Sequence, residues 1–488
     1  MAGPCKARNP PALAWIPATA VFYRVNARAD SLPSPWLEEV ELDYAPPLLG
    51  EHSADLAVVG GGLTGLSAAL EMAQTGASVA LLEAETSGFG ASARNAGHLT
   101  PTIGKDVPTL LRLFGADKTA RLLAYSDAAI LHVESLISQH AIACDYEAVG
   151  NVVAAVDSRQ YGAIDRASAA AADNGLPGCL LDGAEMSKRG LPASFTRGFF
   201  EANGGVLNPA LYCRGLRQAA LEAGVVVFDQ SRVAGIDDSR PTAVVHSERG
   251  RLKAGRVVLA TNAYTPALFS RGSGRPPVSG ARLSGARSLG LGSSGLRLQV
   301  QLFRTAPLSD SQLSRLPWTG REGIYTAHEA LESYRLTADN RILGGAKWVR
   351  YGFNNRALAD VNGRVAEGLE RVFRERFPEL DDVDVERHWG GPIFLAMDFL
   401  PRVGSGGRHG NIFHSLAYAG HGLAHASYAG KVLADMLAGD NGPGSVLWQR
   451  RSMPTPPEPL RWLIFQALNG VLALIDKKAD RKAADRRS

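Results

Sequence analysis

The sequence predicts an α/β fold of more than one domain, opened by a Rossmann-like strand–turn–helix–strand unit. Three observations carry this prediction. A short apolar run, Leu56 to Val59, meets a glycine turn and passes into a helical pattern. A second apolar run, Val79 to Leu82, closes on the acid Glu83. The chain has 488 residues, far more than one hydrophobic core usually holds.

Each part of the opening unit has a physical task. Leu56–Val59 reads as a buried strand. Gly60-Gly61-Gly62-Leu63-Thr64-Gly65 follows as G-x-G-x-x-G. Gly60 permits the tight turn, Gly62 allows a pyrophosphate to approach the backbone, and Gly65 lets the helix pack on the strand. Leu63 and Thr64 open the helix, whose first N–H groups and dipole favour a phosphate. Leu66, Leu70 and Ala73 share one helical face, and Gly76 stops the helix. Glu83, with Ala84 behind it, lies about twenty residues downstream, where a carboxylate can accept ribose hydroxyls. The unit by itself leaves NAD and FAD both open.

The next stretch discriminates between them. Gly88 to Gly97 is a run of small residues interrupted by Arg94 and Asn95. Small residues allow close backbone approach. Arg94 offers a fixed charge and a fork of donors to a phosphate, and Ser92 and Asn95 add short polar side chains. An NAD domain would continue here into another βα unit. A second clamp fits a longer, two-ended cofactor, FAD. With these residues the chain resembles the FAD-dependent amino-acid and amine oxidases of the D-amino-acid oxidase superfamily. Within it, the chain resembles most the gamma-glutamylputrescine oxidase branch, whose G-x-G-A-S-G-R-N-G-G it matches with Ala93 and Ala96 in place of two glycines.

Further stretches carry the same resemblance, in order. Cys144 to Ala155 is similar to C-D-x-x-x-x-G-x-L-x-x-A. Asn208 to Ile236 resembles the helix and strand that bring a backbone contact to the adenine, near Val233. Arg256 to Pro266 resembles a buried strand returning to the cofactor, with Thr261 and Asn262 at its carboxyl end, where α/β sheets bind ligands. Trp389 to Gly404 resembles a segment in which Asp398 holds a loop carrying Gly404 to the cofactor. Tyr418 to Gly430 resembles the closing G-H-G, Gly420-His421-Gly422, with Leu423 starting a flavin-facing helix. The resemblance implies an FAD-binding domain from 54–104, 205–266 and 386–445. It also implies a second α+β substrate domain, from 105–204 and 297–385, whose sheet roofs the flavin. Residues 1–53, rich in proline, read as an extended arm. The Gly/Ser/Arg-rich stretch 270–295 reads as a disordered insertion.

Composition excludes other classes. Hydrophobic content of 45% and charged content of 20% are those of a globular protein. A net charge of +4 without a basic, aromatic-interleaved stripe gives no reason to expect nucleic acid. Four scattered cysteines argue against zinc and disulfides and for a reducing, cytoplasmic setting. The N-terminal stretch lacks the clean apolar segment of a leader, and no apolar run is long enough to span a bilayer. In 446–488, Leu460, Leu463, Ile464, Ala467, Leu468, Val471, Leu472 and Ile475 share one helical face, followed by a basic tail. Two readings remain: a helix packed on the domain, or one lying peripherally on an anionic membrane.

The resemblance implies the chemistry: hydride transfer from the carbon beside an amine to flavin N5, hydrolysis of the imine, and reoxidation by oxygen. A dehydrogenase delivering electrons to a quinone or partner protein is the alternative. A flavin-binding assembly protein without turnover is a third reading. Arg335, in Ser333 to Trp348, is the candidate for a substrate carboxylate. Lys347 is a candidate charge for oxygen activation. His98 is a candidate neighbour of the ring, as a hydrogen-bonding group or an attachment point. His421 is expected along the flavin's pyrimidine edge, where helix-start N–H groups would stabilise reduced flavin. No dedicated base and no metal site stand out.

Overall fold

The computed structural model describes residues 32–269, 290–316, 318–448, 453 and 455–485. Its frame is two large sheets. The first runs in the strand order Arg402–Gly406, Ile412–Leu416, Gly250–Leu259, Gly50–Val59, Val79–Leu82, Val226–Phe228. All neighbours in that order are parallel except the first pair. The inner half of Gly50–Val59 is apolar on both faces because both are covered: Leu56, Ala57 and Val58 are fully buried. The strand begins at Gly50, earlier than its apolar run, because its solvated first half pairs residue by residue with Gly250–Leu259. Helices Leu63–Gln74, Pro209–Glu222 and Gly422–Ala438 cover one face.

The second sheet runs Arg350–Tyr351, Leu296–Thr305, Ile342–Gly345, Ser333–Leu336, Gly323–Thr326, Asn151–Ala155, Arg197–Glu201, Gly178–Leu181. Helix Gly363–Arg376 packs against it through Leu369, Val372 and Phe373, in a core with Phe303, Tyr334 and Phe377.

Two segments lie elsewhere than the expected domain boundaries. Helix Val107–Gln139 puts Leu110, Leu122, Tyr125, Ile130 and Val133 into the core under the first sheet, so it is not part of the second domain. Strand Val385–Leu395 runs antiparallel to Leu296–Thr305 along its whole length and extends the second sheet. Matching apolar residues across that ladder set its allegiance, and no local signal does so.

The arm is more than an extended strap. Ser34 caps the short helix Pro35–Glu38, Trp36 and Leu37 are buried, and residues from Gly50 onward are strand. Of 270–295, residues 270–289 lie outside the described residues. Gly290 to Ser294 form a turn with Leu291 buried, which feeds Leu296–Thr305. Cys144, Cys179 and Cys213 are free thiols.

The C-terminal helix Leu460–Asp485 reverses the usual amphipathic arrangement. Seven of the eight stripe residues face outward and only Leu472 is partly covered. The helix packs through Arg461, Trp462, Phe465, Asp476 and Ala479. Among the described residues, no helix is long and apolar enough to cross a membrane.

Candidate functional site

The site forms where the carboxyl ends of the parallel strands meet the second sheet. A cavity of about 1460 Å³ is lined there by Val59, Leu82 and Ala260, each at a strand end, and by Leu298, Val300 and Leu302. Residues two apart on Leu296–Thr305 share a face, so the second sheet roofs the cavity with alternate side chains. The volume exceeds that of an ordinary small-ligand pocket, roughly 300–1,000 Å³.

The glycine turn is built for close approach. Gly60 has φ +107°, and a Cβ there would lie 2.8 Å from Ala260 O. A Cβ on Gly65 would lie 1.8 Å from Gly60 O, which no side chain tolerates. Gly60, Gly62, Leu63 and Thr64 face the cavity. Gly65 lies behind them, holding the helix to the strand. Leu63 N donates to Ser92 Oγ at 3.0 Å, so the second loop reaches back to the helix start. Glu83 accepts from Gly61 N at 2.6 Å and from Glu85 N at 2.9 Å. Burial raises its pKa, and these backbone bonds oppose the rise. Each carboxylate oxygen keeps acceptor capacity for a ribose hydroxyl. Ala84, Val233, Thr261 and Asn262 also line this part of the wall. Asn262 Oδ1 accepts from Ala417 N at 3.0 Å and braces the segment leading to Gly420, His421, Gly422 and Leu423, all four of which line the cavity. This glycine cradle and a cavity of this volume fit a dinucleotide such as FAD.

The loop after Glu83 is held by its own polar residues. Asn95 Nδ2 donates to Ala91 O and Ser92 O, and its Oδ1 accepts from Gly97 N. The arm locks it from outside: Ser34 Oγ donates to Ala93 O, and Trp36 Nε1 to Asn95 O.

Five sequence-predicted residues differ from expectation. Arg94 reaches the wall, but its guanidinium is turned on the protein. It donates to Phe89 O at 2.8 Å, Asp360 Oδ2 at 2.7 Å and Gly390 O at 3.1 Å. Its work is to tie the loop to the second sheet rather than to offer a free fork to a phosphate. Arg335 is 1% exposed, and its Nη1 donates to Leu207 O at 2.6 Å and Gly97 O at 3.2 Å, away from the wall. Burial lowers its pKa to about 10. Lys347 is bound to Glu332 and Asp480 behind the second sheet. Gly97 backs onto Leu207 O and Arg335 rather than the cavity. Gly404 is paired with His414 inside strand Arg402–Gly406, while Asp398 bonds locally to Leu400 N. Among the described residues, none of Arg335, Lys347, Gly97 and Gly404 lines the cavity.

His98 does line it, on strand His98–Leu99, which pairs with Val206. Its Nδ1 lies 3.2 Å from Asn151 Oδ1. Asn151 Nδ2 donates to Leu99 O, which orients Oδ1 as an acceptor and places the imidazole proton on Nδ1. Nε2 is then a buried lone pair with no partner among the described residues. Burial and the Arg335 charge lower the His98 pKa to about 4, so the ring is neutral. His421 is likewise lowered by burial.

Sequence reasoning missed the neighbours of His98. Tyr325 lines the cavity, stands edge-on to His98 at 5.8 Å, and donates to Glu201 Oε2 at 2.7 Å. Burial pushes Glu201 up to about 7 and Tyr325 well above the usual phenol range. Lys105 and Glu329 also reach the wall. Strand alternation in Gly323–Thr326 says that Gly323 and Tyr325 share a face, but not which face meets a cavity.

Known proteins give the same reading of the family. The model of the DAO family, FAD dependent oxidoreductase, matches residues 55–436. The chain is 30% identical over 403 residues to gamma-glutamylputrescine oxidoreductase of Escherichia coli, covering 81% of this chain and 87% of that one. It is 29% identical over 399 residues to the probable oxidoreductase OrdL of Haemophilus influenzae, covering 81% and 85%. In fold it is similar to glycine oxidase from Geobacillus kaustophilus, with TM-score 0.66, 18% identity and coverage of 80% and 96%. It is also similar to L-amino acid deaminase from Proteus myxofaciens, with TM-score 0.65, 14% identity and coverage of 84% and 96%. The chain belongs to the DAO family of FAD-dependent oxidoreductases.

Proposed function

We propose that this oxidoreductase breaks the C–H bond beside a primary or secondary amine nitrogen and yields an imine, which water hydrolyses. FAD held by the Gly60–Gly65 turn and Glu83 would supply the two-electron acceptor, with oxygen as the final oxidant. The observation that carries the reading is the corner of the cavity where His98 and Tyr325 line the wall and Glu201 stands behind Tyr325 as its hydrogen-bond acceptor. An ammonium has no lone pair to expel a hydride, so the substrate must lose a proton on binding. Glu201, pushed up to about 7, can take up a proton through the Tyr325 hydroxyl near neutral pH. The N–H groups that open helix Gly422–Ala438 favour negative charge beside His421.

The placement of Arg335 supports a substrate whose reacting carbon carries no carboxylate, because this guanidinium packs behind the wall. Gamma-glutamylputrescine, the compound in the Escherichia coli relative's name, is therefore the first substrate to try. Stopped-flow mixing of the FAD-loaded protein with gamma-glutamylputrescine, putrescine, N-methyl amino acids and D-amino acids tests the proposal. Bleaching of the flavin by an amine, followed by peroxide release in air, is the expected result. Bleaching without peroxide would reassign the electrons to a quinone or protein acceptor. A flavin that no amine bleaches would point to an assembly role.

A further inference from the structure

The C-terminal helix packs by its polar side. Asp476 is buried and accepts from Glu329 N at 2.9 Å and Ala330 N at 3.0 Å. Asp480 lies 2.5 Å from Arg376 and 3.1 Å from Lys347. Arg461 pairs with Glu458 at 3.0 Å. These bonds fix the rotation of the helix about its axis. Rolling it to bury the leucines would strand two carboxylates and two cations, and a buried charge left without its partner is strongly unfavourable. Its apolar stripe is thus held outward: Leu463, Ile464, Leu468, Val471, Leu474 and Ile475 are 42–63% exposed.

We propose that this stripe docks the enzyme on an anionic lipid surface, the helix lying in the plane of the interface. Charge selects this occupant. Asp476 and Asp480, the carboxylates beside the stripe, are spent inward, whereas Lys477 and Lys478 there are exposed. From position 481 onward the sequence adds Arg481, Lys482, Arg486 and Arg487 against the single acid Asp485. Leucines to insert and a basic end to meet lipid phosphates are what an interfacial helix needs. A second copy fits less well. The flanks of the stripe are Gln466, Gly470, Ala473 and the two lysines, with no exposed carboxylate on them to pair with a facing helix. Leu460 to Ile475 spans about 24 Å at 1.5 Å per residue, too short and too firmly braced to cross a bilayer.

The test is co-sedimentation of the full-length, FAD-loaded protein with vesicles of phosphatidylcholine alone or mixed with phosphatidylglycerol. The protein is expected to pellet with the mixed vesicles, at least tenfold more strongly than with phosphatidylcholine, and to lose affinity as salt rises. Leu463→Glu with Leu474→Glu should abolish pelleting while the flavin spectrum and amine-driven bleaching stay as in the parent. Lys477→Glu with Lys478→Glu touches no packed side chain and should remove the preference for phosphatidylglycerol, which keeps the test valid if the leucine variant fails to fold. Protein that stays in the supernatant with mixed vesicles overturns the proposal. So does a lipid-free dimer that the leucine variant converts to monomers, because the stripe would then be an interface between copies.

Discussion

The two ends of the cavity are made in different ways. The phosphate end is written in one continuous stretch. Strand, turn, helix and acid follow one another from Leu56 to Glu83, and their contacts join residues about twenty apart. The end proposed for the substrate is assembled from fragments. Tyr325 and the Glu201 it binds are 124 residues apart, and His98 meets Asn151 across 53. A local device tolerates little change because backbone touches backbone. An assembled one can exchange side chains and keep its walls.

That contrast can be broken first at Gly65. Gly65→Val puts side-chain atoms on Gly60 O, already 1.8 Å from a bare Cβ. Destabilisation of more than about 4 kcal/mol is expected, with colourless protein on purification; absorbance and thermal denaturation check it. At the other end, Tyr325→Phe should keep the flavin and the fold while slowing amine-driven bleaching about 100-fold, in the range of lost acid–base assistance, as read by stopped flow. Arg335→Gln sharpens the assignment behind the wall. It should destabilise by roughly 1–3 kcal/mol, the cost of unpaired buried acceptors. KM values for amines with and without a carboxylate should shift alike. A selective rise for the carboxylated ones would return Arg335 to the substrate.

The smallest effect is on pH. The Glu201 pKa is raised on folding from 4.5 to about 7 by burial. The folded state therefore binds the proton more tightly, its contribution is complete below pH 4.5, and it fades as pH rises to about 7. Glu201→Gln should flatten the stability curve in that window, measured as thermal midpoint against pH.

What could be read in the sequence follows the same division. The glycine turn, Glu83 and the Gly420-His421-Gly422 segment are local patterns, and the structure places them on one cavity. Arg335 and Lys347 drew attention as cations on strands near the substrate, yet their partners, Leu207 O and Glu332, become visible only once the chain is folded. Periodicity found the stripe on the last helix but could not tell in from out. Hydrophobicity says which residues share a face, and Asp476 with its partners at 329–330 decides where that face looks.

Asp476 grips the backbone of Glu329 and Ala330, and both residues form part of the cavity wall. The last helix is therefore a strut of the cavity wall. Shortening the protein before residue 476 to ease handling would leave a flavoprotein whose chamber wall has lost its brace, and substrate preferences measured on such a trimmed form would describe a different enzyme.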